Sequence, residues 1–558
     1  MGLYAHTVSK KKTAQTQQAK KRQAKNNAGG YVFKLAPEKQ LERFLVLGSD
    51  KPTYYASAKE LTLDNASCIE ACLDKDGVGT VELIASMSES GRIPKNDTAI
   101  FALAVACAHD DVETRKAALD AIPRVCRTGT HICQFVESVN QFRGWGKGLC
   151  NGVSNWYLNK DADKLAYQLV KYRNRHGWTH RDILRKAHPK TDDPAMQSLF
   201  RWVTHGSDNM KKLEGHRTVN GEKVPYKYKK VAKLPEFVSN FEALQAAKKN
   251  TKVIRLIEEH GFTHEMVPNQ FKNDPKVWEA LLPRMPLGAM IRNLGKMSSV
   301  GILGPLSEGG KLVAAKLGDA RAIHKARLHP VSILNAFMTY RQGNGVRGSL
   351  RWDTNQQIIE ALENAFYASF KTVQPSGKNM LLALDISGSM NTPISGLSIS
   401  AAAASATMAM VTARSEPNYE IRGFATGKGG GWWGGTPEMQ DLGITANTRL
   451  TDVYQNVRGF GATDCAQPML WALKHKIPVD TFAVYTDSET YHGNIHPFQA
   501  LKEYRQKMGR DARLVVVGMT STGFSIADPS DPGMLDVVGF DTAAPDLIAN
   551  FSKGSSAG

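Results

Sequence analysis

The sequence lacks the features of membrane-spanning and secreted proteins. No run of about 18 apolar residues occurs in its 558 residues, and the N-terminus has no apolar core of the kind found in signal peptides. It has seven cysteines, an odd number that favours reduced thiols over a disulfide framework. We therefore expect a cytoplasmic protein that neither spans nor crosses a membrane.

The sequence also lacks the usual signals of a catalytic or zinc site. Cys68 and Cys72 lie one helical turn apart, but no matching second pair is present. In the C-terminal third, no nucleophile is paired with a candidate base. We therefore expect a binding protein and not an enzyme.

Acidic residues are scarce in the first two-thirds of the chain. Residues 1–375 contain 57 Lys and Arg but only 36 Asp and Glu, whereas residues 376–558 contain 14 and 17. The net charge of +18 is therefore divided into +21 in the first part and −3 in the last. This division favours a nucleic-acid surface on the first part and a different role for the last. A generally basic, soluble surface is the alternative.

The patterns that are present divide the chain into three regions. Residues 1–30 hold seven Lys and Arg and no acidic residue, which predicts a disordered basic arm. Residues 31–373 are overwhelmingly helical in pattern, with segments such as 99–108, 161–173 and 357–370, and they predict stacked helix pairs. Residues 374–558 alternate strand and helix patterns, which predicts a domain with a parallel sheet.

A short motif follows the first predicted strand of the last region. The apolar run Met380–Leu384 is typical of a buried parallel strand, and Asp385, Ser387 and Ser389 come directly after it. Ligands gather at the carboxyl ends of strands in such sheets, and a carboxylate with two hydroxyls suits Mg²⁺. A capped strand-to-helix turn would use the same residue types. The motif alone leaves both interpretations open.

Two later segments favour the metal site. Thr463 lies in a Gly-rich turn, and Asp487 follows the apolar strand pattern Thr481–Tyr485 as Asp385 follows the first. A doubly wound sheet would bring these residues to the same edge. Asp464 and Glu489 lie nearby in sequence, and we predict a solvated-loop or supporting role for them.

Together these segments resemble the von Willebrand factor A domain and its metal-ion-dependent adhesion site. The resemblance implies an α/β doubly wound domain that holds Mg²⁺, or another divalent cation. Its expected metal ligands are Asp385, Ser387, Ser389, Thr463 and Asp487. In that family an acidic residue of a partner protein often fills the last metal position, so an acidic protein ligand is an expected partner.

The densest mixture of cations, aromatics and imidazoles in the helical part runs from Lys171 to Lys190. Lys and Arg pair with phosphates, and His and Tyr stack on bases or donate to backbone oxygens. A solvated basic helix with Tyr172 and Trp178 as core anchors is the alternative. Residue chemistry alone does not separate the two.

Ordered motifs extend over nearly the whole chain and make a further resemblance specific. They include residues 43–48 (RFLVLG), 144–148 (GWGKG), the basic segment, 292–297 (RNLGKM) and 518–529 (GMTSTGFSIADP). This order resembles the Ro autoantigen family, in which a helical TROVE module precedes a von Willebrand factor A domain. The resemblance implies a multidomain fold: an all-α, HEAT-like ring of helical repeats, monomeric, with a basic central hole, closed by the A domain.

The resemblance also implies a function. Family members bind small noncoding Y RNAs on the outer surface and admit the 3′ single-stranded ends of misfolded RNAs into the hole. They act in RNA quality control and the stress response, and the Y RNA can tether an exoribonuclease. The implied RNA-binding residues are Lys147, Lys171, Arg173, Arg175, His180, Arg181, His188 and Lys190.

The chain departs from the family pattern in two places. Residues 205–235 form a Lys-rich segment that looks longer than its counterpart, and residues 427–435 contain Gly-Gly-Gly and Trp432-Trp433.

The string Gly343–Gly348 satisfies G-x-G-x-x-G, but it follows a helical pattern and not a strand, so it does not predict a dinucleotide site.

Two other functions remain as alternatives to RNA binding. A metal-dependent adhesion scaffold with an incidental basic half would bind an acidic partner without salt-sensitive RNA affinity. A nuclease or hydrolase that uses Asp385 and Asp487 would need a second metal or a general base, for which the sequence offers no persuasive candidate.

Overall fold

The computed structural model describes residues 12–48, 57–207, 210, 214–227, 234–345, 348–370, 373–394, 399–426, 437–457 and 461–554. Residues 1–11 of the predicted arm, Trp432-Trp433 and parts of the 205–235 segment lie outside these ranges. None of the helices in the described ranges is long and apolar enough to cross a bilayer.

Nineteen helices of the described residues form the first part of the chain. Their bounds are α1 (Pro37–Leu47), α2 (Ala58–Lys75), α3 (Gly77–Ser90), α4 (Asp97–Ala106), α5 (Val112–Asp120), α6 (Ile122–Val125), α7 (Gly129–Phe142), α8 (Lys147–Leu158), α9 (Ala162–Lys171), α10 (His180–Ala187), α11 (Pro194–His205), α12 (Glu236–Gln245), α13 (Asn250–His260), α14 (Pro275–Leu281), α15 (Leu287–Ser299), α16 (Glu308–Gly318), α17 (Ala320–Lys325), α18 (Pro330–Arg341) and α19 (Gln356–Ala368).

Helix α9 illustrates why these segments form helices. Its first turn is capped by Asp161, whose side chain accepts a hydrogen bond from the Lys164 backbone N–H. Its apolar residues are spaced to lie on one face, and Leu165 and Leu169 are buried there. The helical segments predicted at 99–108, 161–173 and 357–370 match α4, α9 and α19 to within a few residues.

The two ends of the helical array meet. Arg92, just after α3, forms an ion pair with Asp541 of the C-terminal domain, with Nη2 2.5 Å from Oδ2. The Nε2 atom of His329, which caps α18, lies 3.2 Å from the Arg92 carbonyl oxygen. Because the early helix, the late helix and the C-terminal domain join here, the array closes on itself.

The C-terminal domain is built on a six-stranded sheet. Its strands are β7 (Met380–Asp385), β8 (Tyr419–Thr426), β9 (Pro437–Asp441), β10 (Thr481–Thr486), β11 (Arg513–Gly518) and β13 (Met534–Val538), in the order β13-β11-β10-β7-β8-β9. All neighbours run parallel except β8 and β9. Helices α20 (Ala401–Ser415), α21 (Leu450–Asn456), α22 (Gln467–Lys474), α23 (Pro497–Met508) and α24 (Ala544–Lys553) complete the domain. The predicted α/β doubly wound fold is confirmed.

Smaller β-structures complete the described chain. A three-stranded antiparallel sheet contains β1 (Gln23–Lys25), β2 (Tyr31–Lys34) and β12 (Phe524–Ser525). Two short hairpins lie within the helical part, formed by β3 (Asn174–Arg175) with β4 (Trp178–Thr179) and by β5 (Glu214–Val219) with β6 (Glu222–Lys227).

The expected disorder of residues 1–30 is wrong for residues 12–30. This stretch is ordered against the C-terminal domain, where the amide side chains of Gln15, Gln23 and Asn26 are buried. Their hydrogen-bond partners include residues 488–496, more than 450 positions away in sequence. The charge and polarity of the segment suggested disorder, but these distant partners satisfy its polar groups and fix its backbone.

Candidate nucleic-acid interface and metal centre

The sheet brings the first predicted metal ligands to one edge. Asp385 ends β7 and Asp487 directly follows β10, and these two strands are parallel neighbours. The Ser387 backbone N–H donates to Asp385 Oδ1 over 3.0 Å. The hydroxyl oxygens of Ser387 and Ser389 lie 3.1 Å apart. Four of the five predicted ligands are therefore gathered by two neighbouring strand ends.

The fifth predicted ligand, Thr463, lies on an adjoining loop. The Gly388 backbone N–H donates to the Gly461 carbonyl over 3.1 Å, which ties this loop to the first one. The Tyr491 N–H donates to the Thr463 carbonyl over 3.2 Å, which ties it to the loop after β10. All five predicted ligands are buried.

Burial and mutual repulsion make the ionised forms of Asp385 and Asp487 unfavourable when no cation lies beside them. Burial, and then the charge of Asp487, raise the pKa of Asp385 to about 7. Burial also raises the pKa of Asp487. Within the described ranges, no Lys or Arg forms an ion pair with either carboxylate. A hard divalent cation with oxygen ligands fits this group of side chains.

The hydroxyl groups are essential to that fit. In the described part of the chain, no three His, Cys, Asp or Glu side chains form a cluster that could hold a metal ion. Two carboxylates, two Ser hydroxyls and a Thr hydroxyl form a set of hard oxygen ligands instead, which Mg²⁺ prefers over softer sulfur or imidazole sites.

Asp464 and Glu489 are not solvated-loop residues. Both are buried. Asp464 accepts hydrogen bonds from the side-chain amides of Gln15 and Gln467, each over 2.6 Å. Glu489 accepts from the Asn27 amide over 2.7 Å and from the Ala28 N–H over 2.9 Å. Both residues therefore have the supporting role that was the other expectation, and the element that they contact is the N-terminal segment.

The predicted RNA-binding residues lie on consecutive elements of the helical part. The short β3–β4 hairpin turns at His176 and Gly177, which have φ of 51° and 76°. Helix α10 follows, with a capping box formed by Thr179 and Asp182. Of the eight predicted residues, five are exposed, two are half-buried and one is buried. The exposed ones are Lys147, Arg173, Arg181, His188 and Lys190, the half-buried ones are Lys171 and Arg175, and the buried one is His180.

Two of the arginines lie over aromatic rings. The Arg173 guanidinium is 5.5 Å from the ring centre of Phe241, and that of Arg175 is 5.9 Å from the ring centre of Tyr172. Such contacts favour a defined position of the planar group while its N–H donors can still pair with phosphate oxygens. His188 ends α10 in the left-handed conformation, with φ of 50°.

The structure contradicts an RNA contact for His180. The side chain is buried, its Nδ1 lies 2.9 Å from the Tyr157 hydroxyl, and its ring stacks on Trp156. Burial lowers the pKa of His180 to about 4, so the ring is neutral near pH 7. The sequence placed this residue in a basic segment, but the helical period of α10 turns it inward.

Lys171 is also more enclosed than predicted. Only 9% of its side-chain surface is exposed, and its Nζ lies 3.8 Å from Glu265 Oε1 and 3.2 Å from the Tyr167 hydroxyl. Burial disfavours the ammonium group, but the neighbouring tyrosines and Glu265 outweigh it and raise the pKa of Lys171. Lys171 is therefore charged and already paired within the protein.

Two tryptophans that were not predicted to bind RNA also lie on this surface. The rings of Trp145 and Trp178 lie 6.4 Å apart between centres, and the Lys186 Nζ lies 5.4 Å and 6.0 Å from those centres. Both tryptophans are half-buried. They come from segments more than 30 residues apart, so the sequence could not show that they meet.

The fold defines a class of protein: a closed array of helical repeats joined to a von Willebrand factor A domain. Residues 24–378 match the model of the TROVE domain, and residues 379–552 match the model of the Ro60 von Willebrand factor A domain. The chain therefore belongs to the Ro60 family. The resemblance and the ring fold expected from the sequence are confirmed.

Individual relatives agree with this assignment. An RNA-binding protein RO60 of Deinococcus radiodurans is 38% identical over 554 residues, which cover 97% of each chain. One of Caenorhabditis elegans is 34% identical over 602 residues, covering 97% of this chain and 91% of the relative. The crystal structure of the Deinococcus radiodurans RO (RSR) protein matches with a TM-score of 0.67 and 37% identity, covering 93% of this chain and 99% of that one.

Proposed function

We propose that this protein is an RNA-binding ring. It binds small noncoding Y RNAs on its outer surface and holds the 3′ single-stranded ends of misfolded RNAs in a basic central hole. Through both activities it acts in noncoding-RNA quality control and the stress response. The observation that carries the proposal is the exposed cationic surface on α8, α10 and the β3–β4 hairpin of a chain whose relatives are named RNA-binding proteins.

The chemistry of this surface suits a folded RNA with little sequence choice. Exposed Lys and Arg side chains pair with phosphates, and this contact releases counterions and gives salt-sensitive affinity. Half-buried Trp145 and Trp178 offer ring faces to unpaired bases. Recognition then rests on RNA shape and on a free 3′ end, because phosphate contacts alone do not read a sequence.

The A domain has a different role in this proposal. Asp385, Ser387, Ser389, Thr463 and Asp487 hold Mg²⁺, and an acidic group of a protein partner completes its coordination. The domain carries a net charge of −3 between residues 376 and 558, which does not favour RNA. An exoribonuclease tethered through the bound RNA is a second proposed partner. The ring acts as a cytoplasmic monomer without enzymatic activity.

Isolation of nucleic acid with the native protein tests the proposal. We expect small structured RNA to copurify with the full chain and to be reduced after His188→Ala, because the exposed His188 lies on the cationic surface. Exposed Lys507 of the A domain supplies the matched control, Lys507→Ala, which should retain the RNA. Absence of RNA from the native protein, with no affinity for added small RNA, would favour the metal-dependent adhesion scaffold.

A further inference from the structure

The N-terminal segment lies against the loop that carries the last metal ligand. We call residues 12–30 the N-terminal clasp and residues 487–493 the third metal loop. The clasp runs from the 493–499 region to the third metal loop, and β2 then joins β12 beyond it. The contacts are made by buried polar groups on both sides. Hydrogen bonds between buried polar groups therefore hold this segment in place, and not only the charge of its Lys and Arg residues.

Asn26 binds the backbone of the third metal loop directly. Its side-chain amide donates to the Ser488 carbonyl over 3.1 Å and to the Thr490 carbonyl over 3.0 Å. Its side-chain oxygen accepts from the Gly30 N–H over 2.8 Å, so the amide group cannot rotate freely. A Cβ at Gly30 would lie 1.9 Å from the Thr490 carbonyl oxygen, so the two backbones are in direct contact.

Gln15 bridges the loop that contains Thr463 and Asp464 and the third metal loop. Its side-chain nitrogen donates to Asp464 Oδ1 over 2.6 Å and to the Ile495 carbonyl over 2.9 Å. Its side-chain oxygen accepts a hydrogen bond from the Thr490 hydroxyl. Gln15 is fully buried. One amide therefore links the neighbour of Thr463 to the loop that begins at Asp487.

The third metal loop needs such support. Ser488 has φ of 62°, a left-handed conformation that a residue with a side chain rarely adopts. A conformation of this kind persists only when surrounding contacts fix it. Glu489 lies two residues after Asp487, and both its carboxylate oxygens are bound by the clasp at Asn27 and Ala28. The clasp thereby fixes the loop backbone and keeps a competing carboxylate occupied.

We propose that the N-terminal clasp sets the metal affinity of the A domain, with Gln15 and Asn26 as positioning residues. The inference rests on the proposed metal site and adds to it an element from the opposite end of the chain. Residues that orient metal ligands without touching the ion change metal affinity by about 10- to 100-fold when they are removed. Release of the clasp would lower the affinity for the cation, and with it the affinity for an acidic partner group.

The test is a Mg²⁺ titration of the full chain by calorimetry, together with the shift in melting temperature on adding Mg²⁺ after EDTA treatment. The variants are Gln15→Ala and Asn26→Ala, with Asp385→Ala as the loss of a direct ligand. The control is Arg22→Ala, at an exposed position within the same clasp. Asn27→Ala is a milder variant, because Asn27 is exposed and its amide contacts only the Glu489 carboxylate among the bonds described.

Each outcome decides the proposal. Mg²⁺ affinity about 10- to 100-fold weaker in the two clasp variants, with the control unchanged and the melting temperature in EDTA near that of the native chain, supports it. Native Mg²⁺ affinity in both variants would contradict the role of the clasp but not the proposed metal site. Failure of the native chain to bind Mg²⁺ overturns both.

If Gln15→Ala and Asn26→Ala do not fold, the same Mg²⁺ titration of Asn27→Ala tests the proposal. Hydrogen exchange of residues 487–493 gives a second readout. Faster exchange in Asn27→Ala with weaker Mg²⁺ binding supports the clasp. Unchanged exchange and affinity contradict it.

Discussion

Lys171 and Glu265 form a largely buried ion pair, with Nζ 3.8 Å from Oε1. The carboxylate also faces His264, whose Nδ1 lies 3.0 Å from Oε2. Burial opposes the ionised carboxylate, but the neighbouring His264, together with Lys171, lowers the pKa of Glu265 to about 2. Glu265 is therefore ionised and competes with phosphate for a lysine that the family resemblance assigns to RNA.

The first prediction concerns this competition. Glu265→Gln removes the competing charge, so the Lys171 ammonium can pair with phosphate instead. We expect RNA affinity to rise several-fold. The slope of log affinity against log salt concentration should steepen by about one, the change expected for one added phosphate contact. Filter binding at several salt concentrations measures both.

Glu259→Gln is the matched control for this change. It removes the same charge from an exposed side chain of α13, which faces Arg255 at 3.7 Å. We expect little change in RNA affinity. Equal effects of the two substitutions would show that overall charge, and not the Lys171 pair, is responsible.

A second prediction concerns acid stability. Burial lowers the pKa of His131, His180 and His329 to about 4 from an ordinary value of 6.5. Between these values the unfolded chain binds protons that the folded chain does not, so stability falls as the pH drops from 6.5 to 4. Each group contributes up to about 3 kcal/mol to this loss. Melting temperatures across this range measure it.

His180→Gln isolates one of these contributions. Gln does not titrate and keeps a polar group beside the Tyr157 hydroxyl, so the variant should lose less stability on acidification than the native chain. Its RNA affinity should stay near native, since His180 is buried. A variant with the native pH profile and defective RNA binding would reverse the assignment of His180 to the core.

A third prediction separates the two halves of the molecule. Asp385→Ala removes one of the proposed metal ligands, so stabilisation by Mg²⁺ should disappear. RNA affinity should remain within about twofold of native, because no exposed cation of the helical part is changed. Asp511→Ala, an exposed carboxylate of the same domain, is the control. Loss of RNA binding by a folded Asp385→Ala protein would contradict this division of roles.

A fourth prediction concerns closure of the ring. Arg43 of α1 is fully buried, and its Nη2 lies 2.6 Å from Asp536 Oδ2 on β13. Arg43→Met leaves a buried carboxylate without its cation, which costs about 3 to 5 kcal/mol of stability. Chemical denaturation measures the loss. Lys39→Met, which removes an exposed cation from the same helix, should cost under about 1 kcal/mol. Equal losses in the two variants would contradict the closure role.

Several features could be predicted from local sequence. The strands β7 and β10 are continuous apolar runs because both faces are buried, and Asp385 and Asp487 lie at their carboxyl ends, as expected. The helices follow from apolar spacing and caps, as in α9. These signals are local, so one segment carries each of them.

Other features depend on contacts between distant segments. The edge strand β9 runs antiparallel to β8, an orientation that its own residues do not specify. Arg92 meets Asp541 only when the ring closes. Gln15 can be buried because Asp464 and Thr490 form hydrogen bonds with its side-chain amide. His180 can be buried because its Nδ1 lies beside the Tyr157 hydroxyl. Composition suggested exposure for Gln15 and His180, since the partners lie elsewhere in the chain.

The most direct measurement of the central claim is the salt dependence of small-RNA affinity for the full chain and two variants. Arg181→Ala removes an exposed cation of α10, and Lys507→Ala removes one from the A domain. We expect log affinity to fall linearly with log salt concentration. Arg181→Ala should weaken binding and lower the slope by about one, while Lys507→Ala should change neither. Affinity that is absent, independent of salt, or equally reduced by both substitutions would contradict an RNA-binding surface on the helical ring.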